Sequence, residues 1–231
     1  MEFTKSLIKG KLIKRYKRFF ADVKLNKEIV TAHCPNTGSM KGLLDEGNDV
    51  YLLKNDDPKR KLKYGLEIIK AQNNLVGVNT HMANKIVNHG LKNNLIKELK
   101  DIDKIKAEVF FNKETRFDFL LEKKKQKSFV EVKNVTLFRD EKTAEFPDAI
   151  TSRGLKHIQE LLKARKKGFE IYLFFVIQRN DCSKFELAKD IDHEYCELLL
   201  KAVKKNLKVL CYDCKFSTKG IKLNREIQFK K

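Results

Sequence analysis

Apolar positions in the first eighty residues come in short runs with turn signals between them. SLIKGKLI, RFFADVKL, EIVTAHC, DVYLLK and LVGVNT each read as a strand. Gly10, Asn26, Pro35-Asn36, Gly38, Gly47-Asn48 and Asp57-Pro58 mark the breaks. Five or six short strands in so little chain predict a small barrel, and an OB-like barrel fits. The period changes after residue 80. Met82, Ile86 and Val87, and then Leu91, Ile96 and Leu99, recur at helical spacing, with Asn93 or Asn94 placed to cap the second piece. This predicts a helical connection, with one domain over 1–82 and a second over 83–231.

The second domain alternates. AEVFF, RFDFLLE and SFVEVKNV are strand-like, and DAITSRGLKHIQELLKARKKG reads as a helix of about five turns ending at Gly168. EIYLFFVIQ is apolar throughout, as a strand buried on both faces would be. HEYCELLLKAVKKN is a second amphipathic helix and LKVLCYDCKF a last strand. Three strands followed by helix, strand, helix and strand predict an α+β domain, a mixed sheet flanked by helices.

One hairpin departs from this burial pattern. RFDFLLEKKKQKSFVEVK places Asp118 among apolar neighbours, although Asp is depleted in strands. Glu131 and Lys133 share one strand face by alternation, with Val130 and Val132 on the other. A turn centred on Lys124-Lys125 sets Asp118 directly opposite Glu131. Two like charges so placed are destabilising. At 4 Å their repulsion is roughly 1 kcal/mol in water, and about 4 kcal/mol at an effective dielectric near 20. A hard divalent cation, Mg²⁺ or Mn²⁺, would relieve it. Lys133 beside the pair could hold a phosphate or orient a water. The set is what phosphodiester hydrolysis requires. The competing reading is a half-exposed hairpin with ordinary surface charges.

Charge narrows the partner. The 231 residues carry 50 Lys and Arg against 31 Asp and Glu, a formal net charge of +19, with both halves of the chain basic. Such an excess points to a polyanion, nucleic acid first, although abundant Lys, Asn and Ile together also fit a compositional bias. No apolar run approaches the ~20 residues of a membrane span, so no membrane partner is expected. Five Cys, an odd count, and no export signal fit a reducing cytoplasm. No helix-turn-helix pattern suggests a sequence reader.

Asp118 followed by Glu131-Val132-Lys133 resembles the PD-(D/E)XK nuclease motif, with Phe117 where that motif has Pro. The resemblance implies a metal shell completed by the Val132 carbonyl and an upstream Glu, with Glu98 first and Glu108 second. A wider resemblance runs from residue 12 to residue 161. LIKRYKRFFADV, HCPNTGSMKG, GVNTHMANK, FVEVKNVTL and FPDAITSRGLKHIQEL are similar to the sugar fermentation stimulation protein family of bacteria and archaea. That family implies an N-terminal OB-like domain joined to a PD-(D/E)XK-like domain. It also implies DNA binding with little sequence preference and a regulatory role in sugar metabolism. The expected partner is double-stranded DNA, with RNA second and room for a homodimer. The alternative function is an active Mg²⁺- or Mn²⁺-dependent DNase or RNase.

Three further segments carry candidates. KLIKRYKRFF interleaves cations and aromatics, suiting phosphate contact through Arg15, Lys17 and Arg18 and base stacking. As a strand it would put Tyr16, Arg18 and Phe20 on one face. In HCPNTGSMKG, backbone amides could cradle an anion, and the family resemblance singles out Asn36, Thr37 and Gly38. Arg153 and His157 are four apart on the helix after the Glu-x-Lys strand, so they share a face. Arg153 could clamp a phosphate and His157 could shuttle a proton, against the plainer reading of a surface Arg and a satisfied His. Cys211 and Cys214 lack a second ligand pair for zinc, and strand alternation points them to opposite faces.

Overall fold

A computed structural model of the chain describes residues 1–71, 73–140, 142–217 and 219–230. The turn signals of the first segment separate six strands: β1 (Ile8–Tyr16), β2 (Phe20–Leu25), β3 (Glu28–His33), β4 (Asp49–Lys54), β5 (Tyr64–Ala71) and β6 (Asn74–Gly77). Their order is β3-β2-β1-β4-β5-β6, and a parallel contact of β3 with β5 at His33 and Gly65 closes a five-stranded barrel. Alternate residues fill it: Leu12, Val23, Ala32, Val50, Leu52 and Leu66 are buried together.

One local expectation fails here. Lys17 and Arg18 do not lie in a strand; they form the hairpin turn between β1 and β2, with φ of 47° and 62°. The left-handed conformation usually falls to Gly or Asn, so two basic residues gave no turn signal. Tyr16 and Phe20 still share a face, stacked at 5.5 Å across the turn.

α1 (Met82–Lys92) follows the barrel and buries Met82, Ala83, Ile86, Val87 and Leu91. Its predicted second piece is only a single 3₁₀ turn, Lys97–Leu99. Asn94, at φ 53°, turns the chain instead of capping a helix.

The remaining elements are β7 (Lys104–Phe110), β8 (Arg116–Lys123), β9 (Gln126–Val135), β10 (Leu137–Asp140), β11 (Thr143–Phe146) and α2 (Ser152–Lys166). They continue with β12 (Glu170–Ile177), β13 (Lys184–Leu187), α3 (His193–Lys204), β14 (Lys208–Ser217), β15 (Gly220–Glu226) and β16 (Gln228–Phe229). The main sheet runs β15-β14-β12-β9-β8-β7, with β12 parallel to both β9 and β14. Its two faces carry separate cores. One holds Phe117, Phe129 and Phe175 with Ile158 and Leu161 of α2 and Leu199 of α3. The other holds Phe119, Val130 and Phe174 with Ile86 and Val87 of α1. The apolar run of β12 is buried on both faces, as its composition requires. Rings of Phe117, Phe129 and Phe169 stand 4.8–4.9 Å apart in sequence of contact, each pair contributing about 0.5–1.5 kcal/mol beyond area burial. Cys211 and Cys214 do fall in opposite cores.

α2 starts later than its apolar pattern suggests. Thr151 caps it by accepting from the Gly154 amide at 3.0 Å, and Gly168 at φ 89° closes it. The helix therefore has 15 residues, about four turns. Asp148 is left outside it.

The two domains meet through specific polar contacts. The Gly77 amide donates to the Gln178 carbonyl at 2.8 Å, and Gln178 Nε2 donates to the Asn79 carbonyl at 3.0 Å. A side chain at Gly77 would collide with Gln178 and Phe216. Residues ahead of β1 dock on the second domain: the Met1 ammonium donates to the Ile221 carbonyl at 2.9 Å, and the Phe3 amide to Lys219 at 2.9 Å.

Candidate metal centre

The hairpin of β8 and β9 has the register its turn dictates: Phe119 pairs with Val130, Leu120 with Phe129 and Lys123 with Gln126. One step further along, Asp118 comes level with Glu131. The strand does not continue regularly there. Phe119 and Leu121 point into the core beneath α1 and Leu120 into the opposite core, but Phe117 joins Leu120's side. Alternation breaks at Asp118. The neighbouring strand bends at the same level, where Glu108, between the pairs Ala107–Phe119 and Val109–Phe117, has φ 56°.

At this kink the Asp118 carboxylate turns onto β9. Its Oδ2 accepts from the Val132 amide at 2.7 Å and its Oδ1 from Asn84 Nδ2 at 2.6 Å. Burial, and then the facing Glu131 charge, push its pKa up to about 6. Glu131 is 3% exposed. Its Oε1 receives Lys133 Nζ at 2.7 Å and a close contact from His157 Nδ1. Burial alone would raise Glu131, but the Lys133 ammonium and His157 outweigh it and hold the carboxyl below its usual range. Lys133 itself is largely covered, its side chain 14% exposed, and its Nζ stands 3.2 Å from His157 Nδ1. Arg153 Nε approaches His157 Nε2 at 3.5 Å.

Glu131 Oε2 is buried and has no hydrogen-bond partner among the described residues. A lone carboxylate oxygen, buried beside a second carboxylate, fits a cation. The donors are hard oxygens, and two carboxylates are what Mg²⁺ or Mn²⁺ usually takes from protein. Three or more His, Cys, Asp or Glu side chains do not converge at one point among the described residues.

The structure brings together Asp118, Glu131, Val132, Lys133, His157 and Arg153. It does not bring Glu98. That residue sits in the 3₁₀ turn, accepts from the Tyr212 hydroxyl at 2.8 Å, and lines a hollow of about 550 Å³ with Lys123, Lys124 and Lys125. Five residues of strand separate Lys123 from Asp118, about 17 Å. The resemblance asks for an upstream helical Glu, but the helix ends at Lys92, and the chain past Asn94 takes Glu98 to the turn end of the hairpin. Glu108 pairs with Arg116 at 2.8 Å. Asn84 of α1 holds Asp118 instead. Sequence reasoning passed over it within GVNTHMANK, although it is a polar residue beside the buried Ala83 of an amphipathic helix.

The barrel candidates fall into two groups. Arg15 spends Nε and Nη2 on the Arg18 carbonyl, at 3.1 and 2.9 Å, and Nη2 on the Asn36 carbonyl at 2.7 Å. Asn36 is buried. Lys17, Arg18, Thr37 and Arg153 are exposed, and Phe19, 44% exposed, stacks on His33. A hollow lined by Met1, Glu2, Lys215, Phe216 and Ile221 lies away from the acidic pair. The centre is a polar cluster shared by β8, β9, α1 and α2.

Comparison with known proteins follows the same division of the chain. Residues 13–78 match the family model described as the SfsA N-terminal OB domain, and residues 81–220 the one described as the sugar fermentation stimulation protein RE domain. A sugar fermentation stimulation protein homolog of Pelagibacter ubique is 69% identical over 99% of this chain and 98% of its own length. Homologs of Maricaulis maris and Geotalea daltonii are 41% and 44% identical, covering 99% and 96% of the chain and 98% and 96% of their own lengths. The solved structure of Pyrococcus furiosus SfsA in complex with Ca²⁺ superimposes with a TM-score of 0.89 at 25% identity, covering all of this chain and 98% of that one.

Proposed function

The chain belongs to the sugar fermentation stimulation protein family, and on that premise we propose that it binds nucleic acid without sequence preference, double-stranded DNA first, and hydrolyses phosphodiester bonds at the Asp118–Glu131 centre. The observation that carries the reading is the buried, unpartnered Oε2 of Glu131 beside a second desolvated carboxylate and a covered lysine. Ca²⁺ in the complex of the Pyrococcus furiosus relative supports a divalent cation at this fold.

Asp118, Glu131 and the Val132 carbonyl would hold the cation. Mg²⁺ or Mn²⁺ bound there would neutralise the pair and acidify a water. The protein's own groups supply the rest. Lys133 Nζ, 2.7 Å from Glu131, is placed to offer its remaining protons to a phosphate oxygen as negative charge builds there. His157, from behind, keeps Glu131 in one orientation through Nδ1. Asn84 does the same for Asp118. Arg153, exposed at the start of α2, can reach a neighbouring phosphate bidentately.

A second reading has one observation in its favour. With fewer than three acidic or His ligands converging among the described residues, the protein would bind DNA and a cation without cutting. One assay decides. Labelled DNA and RNA, single- and double-stranded, are incubated with wild type, Asp118→Ala and Lys133→Ala in Mg²⁺, Mn²⁺ or EDTA. Cleavage by wild type alone, abolished by EDTA, is the expected result. Cleavage that survives Asp118→Ala removes the site assignment. No cleavage of any substrate leaves the binder.

A further inference from the structure

The loop between β3 and β4 is held from several sides. The Cys34 amide donates to the Phe19 carbonyl at 2.7 Å, Thr80 Oγ1 donates to the Pro35 carbonyl at 2.8 Å, and Arg15 donates to the Asn36 carbonyl at 2.7 Å. Asn36 Oδ1 accepts from the Gly38 amide at 2.8 Å. Into this loop, from the other domain, comes Asp148. Its Oδ2 accepts from the Ser39 amide at 3.2 Å and lies so close over Gly38 that any side chain there would collide with it. Only glycine permits that approach.

The seat suits an anion better than it is served by this one. Asp148 receives a single long bond from the loop. Burial pushes its pKa up, against the Ser39 amide, its own backbone amide and the Arg15 charge, which pull it down. Asn36 is 3% exposed, and its Nδ2, on the amide group that already faces Gly38, has no acceptor among the described residues. An interdomain clasp built for stability alone would not strand a buried donor next to a carboxylate that burial penalises. A tetrahedral phosphodiester has more acceptor oxygens to spread over the same donors, the Ser39 amide, Asn36 Nδ2 and Arg15.

We propose that residues 36–39, with Arg15, form a phosphate site at the domain junction, in which the Asp148 carboxylate stands until a backbone phosphate of bound nucleic acid displaces it. This rests on the nucleic-acid reading above, but not on the metal centre. Asp148 lies five residues before Arg153, which approaches His157, so the seat and the metal centre are joined by a short segment and the first turn of α2.

The test is binding, measured in EDTA so that the metal centre plays no part. Fluorescence anisotropy follows a labelled 20-nucleotide single strand and its duplex across a salt series. Asp148→Asn keeps the shape and the bond to Ser39 but removes the competing charge. It should tighten binding about three- to tenfold at low salt and steepen the salt dependence by about 0.7–0.9 per decade, the value of one more phosphate neutralised. Asn36→Asp, equally isosteric, adds a charge to the seat and should weaken binding by a similar factor. Affinities unchanged in both variants, or weakened by Asp148→Asn, make the contact a clasp only and overturn the proposal. Failure of every protein to bind either probe at 50 mM salt, about the low end of the useful range, removes the nucleic-acid reading with it. The cleavage assay judges the metal centre separately.

Discussion

Asp118→Asn at the centre turns the repulsion between the two carboxylates into a measurable stability. The folded protein raises the Asp118 carboxyl from 3.8 to about 6, through burial and the facing Glu131. Two units at 1.36 kcal/mol each place about 3 kcal/mol on the ionised form at neutral pH. The sign follows from linkage. A carboxyl whose folded pKa is raised stabilises the fold when protonated, below its unfolded value, and loses that contribution as pH rises through the folded value. Wild type should therefore lose stability relative to Asp118→Asn between about pH 4 and pH 6. Asn still offers an oxygen to the Val132 amide, and Asn84 turns its own carbonyl to meet the new NH2, but the lost charge assistance costs about 1 kcal/mol. The net gain at pH 8 is about 1–2 kcal/mol, or roughly 3–6 °C in Tm for a chain of this size. Thermal unfolding by circular dichroism in EDTA, from pH 4 to pH 8, measures the difference between the two proteins. The lowered Glu131 pKa acts in the opposite direction, but in both, so it leaves the difference to Asp118. Greater stability of wild type at pH 8, or a difference flat across the range, would refute the electrostatic account.

Other expectations follow from the same geometry. Mn²⁺ or Ca²⁺ should raise the Tm of wild type in proportion to the logarithm of its concentration, and Glu131→Gln should abolish that rise in a calorimetric titration. Lys133→Met leaves Glu131 buried with only His157 beside it, and should cost about 3 kcal/mol in urea unfolding at neutral pH. Glu98→Gln touches the Tyr212 bond and the exposed ion pair with Lys97, so it should shift stability by about 1 kcal/mol and leave both cation affinity and cleavage unchanged; loss of either would return Glu98 to the site. Phe19→Ala removes an exposed ring stacked on His33, and should weaken single-stranded binding by about 1–3 kcal/mol while sparing the duplex.

The acidic pair was legible in the sequence for a specific reason. A hairpin whose turn is marked by charged residues between apolar arms has only one register that buries both arms, and that register fixes which residues face each other. The kink at Asp118 was not legible. It depends on Phe117 choosing one core and Phe119 the other, a choice made by α1 and α2 together. Glu98 misled because a resemblance that asks for a helical Glu does not say where the helix ends: α1 stops at Lys92, and the chain then carries Glu98 away. Asn84 and Asp148 were hidden in segments whose family likeness was plain but whose polar residues had no partner until the domains were joined. The four-stranded sheet β10-β11-β13-β16 escaped notice because its strands are two to four residues long, too short for period-two alternation to show.

The docking of Met1 and Phe3 on the second domain has a mechanical consequence. The barrel is fastened to its neighbour on several sides: by the chain through residues 78–81 after β6, by the Gly77 amide on Gln178, by the Ser39 amide on Asp148, and by the stretch before β1 whose first residues pair with β15. Translation away from the second domain would require stripping a strand edge. The chain's first residues therefore act as a strap: they tie the start of the barrel to the edge strand of the main sheet, so the junction is closed by both ends of the barrel's own chain.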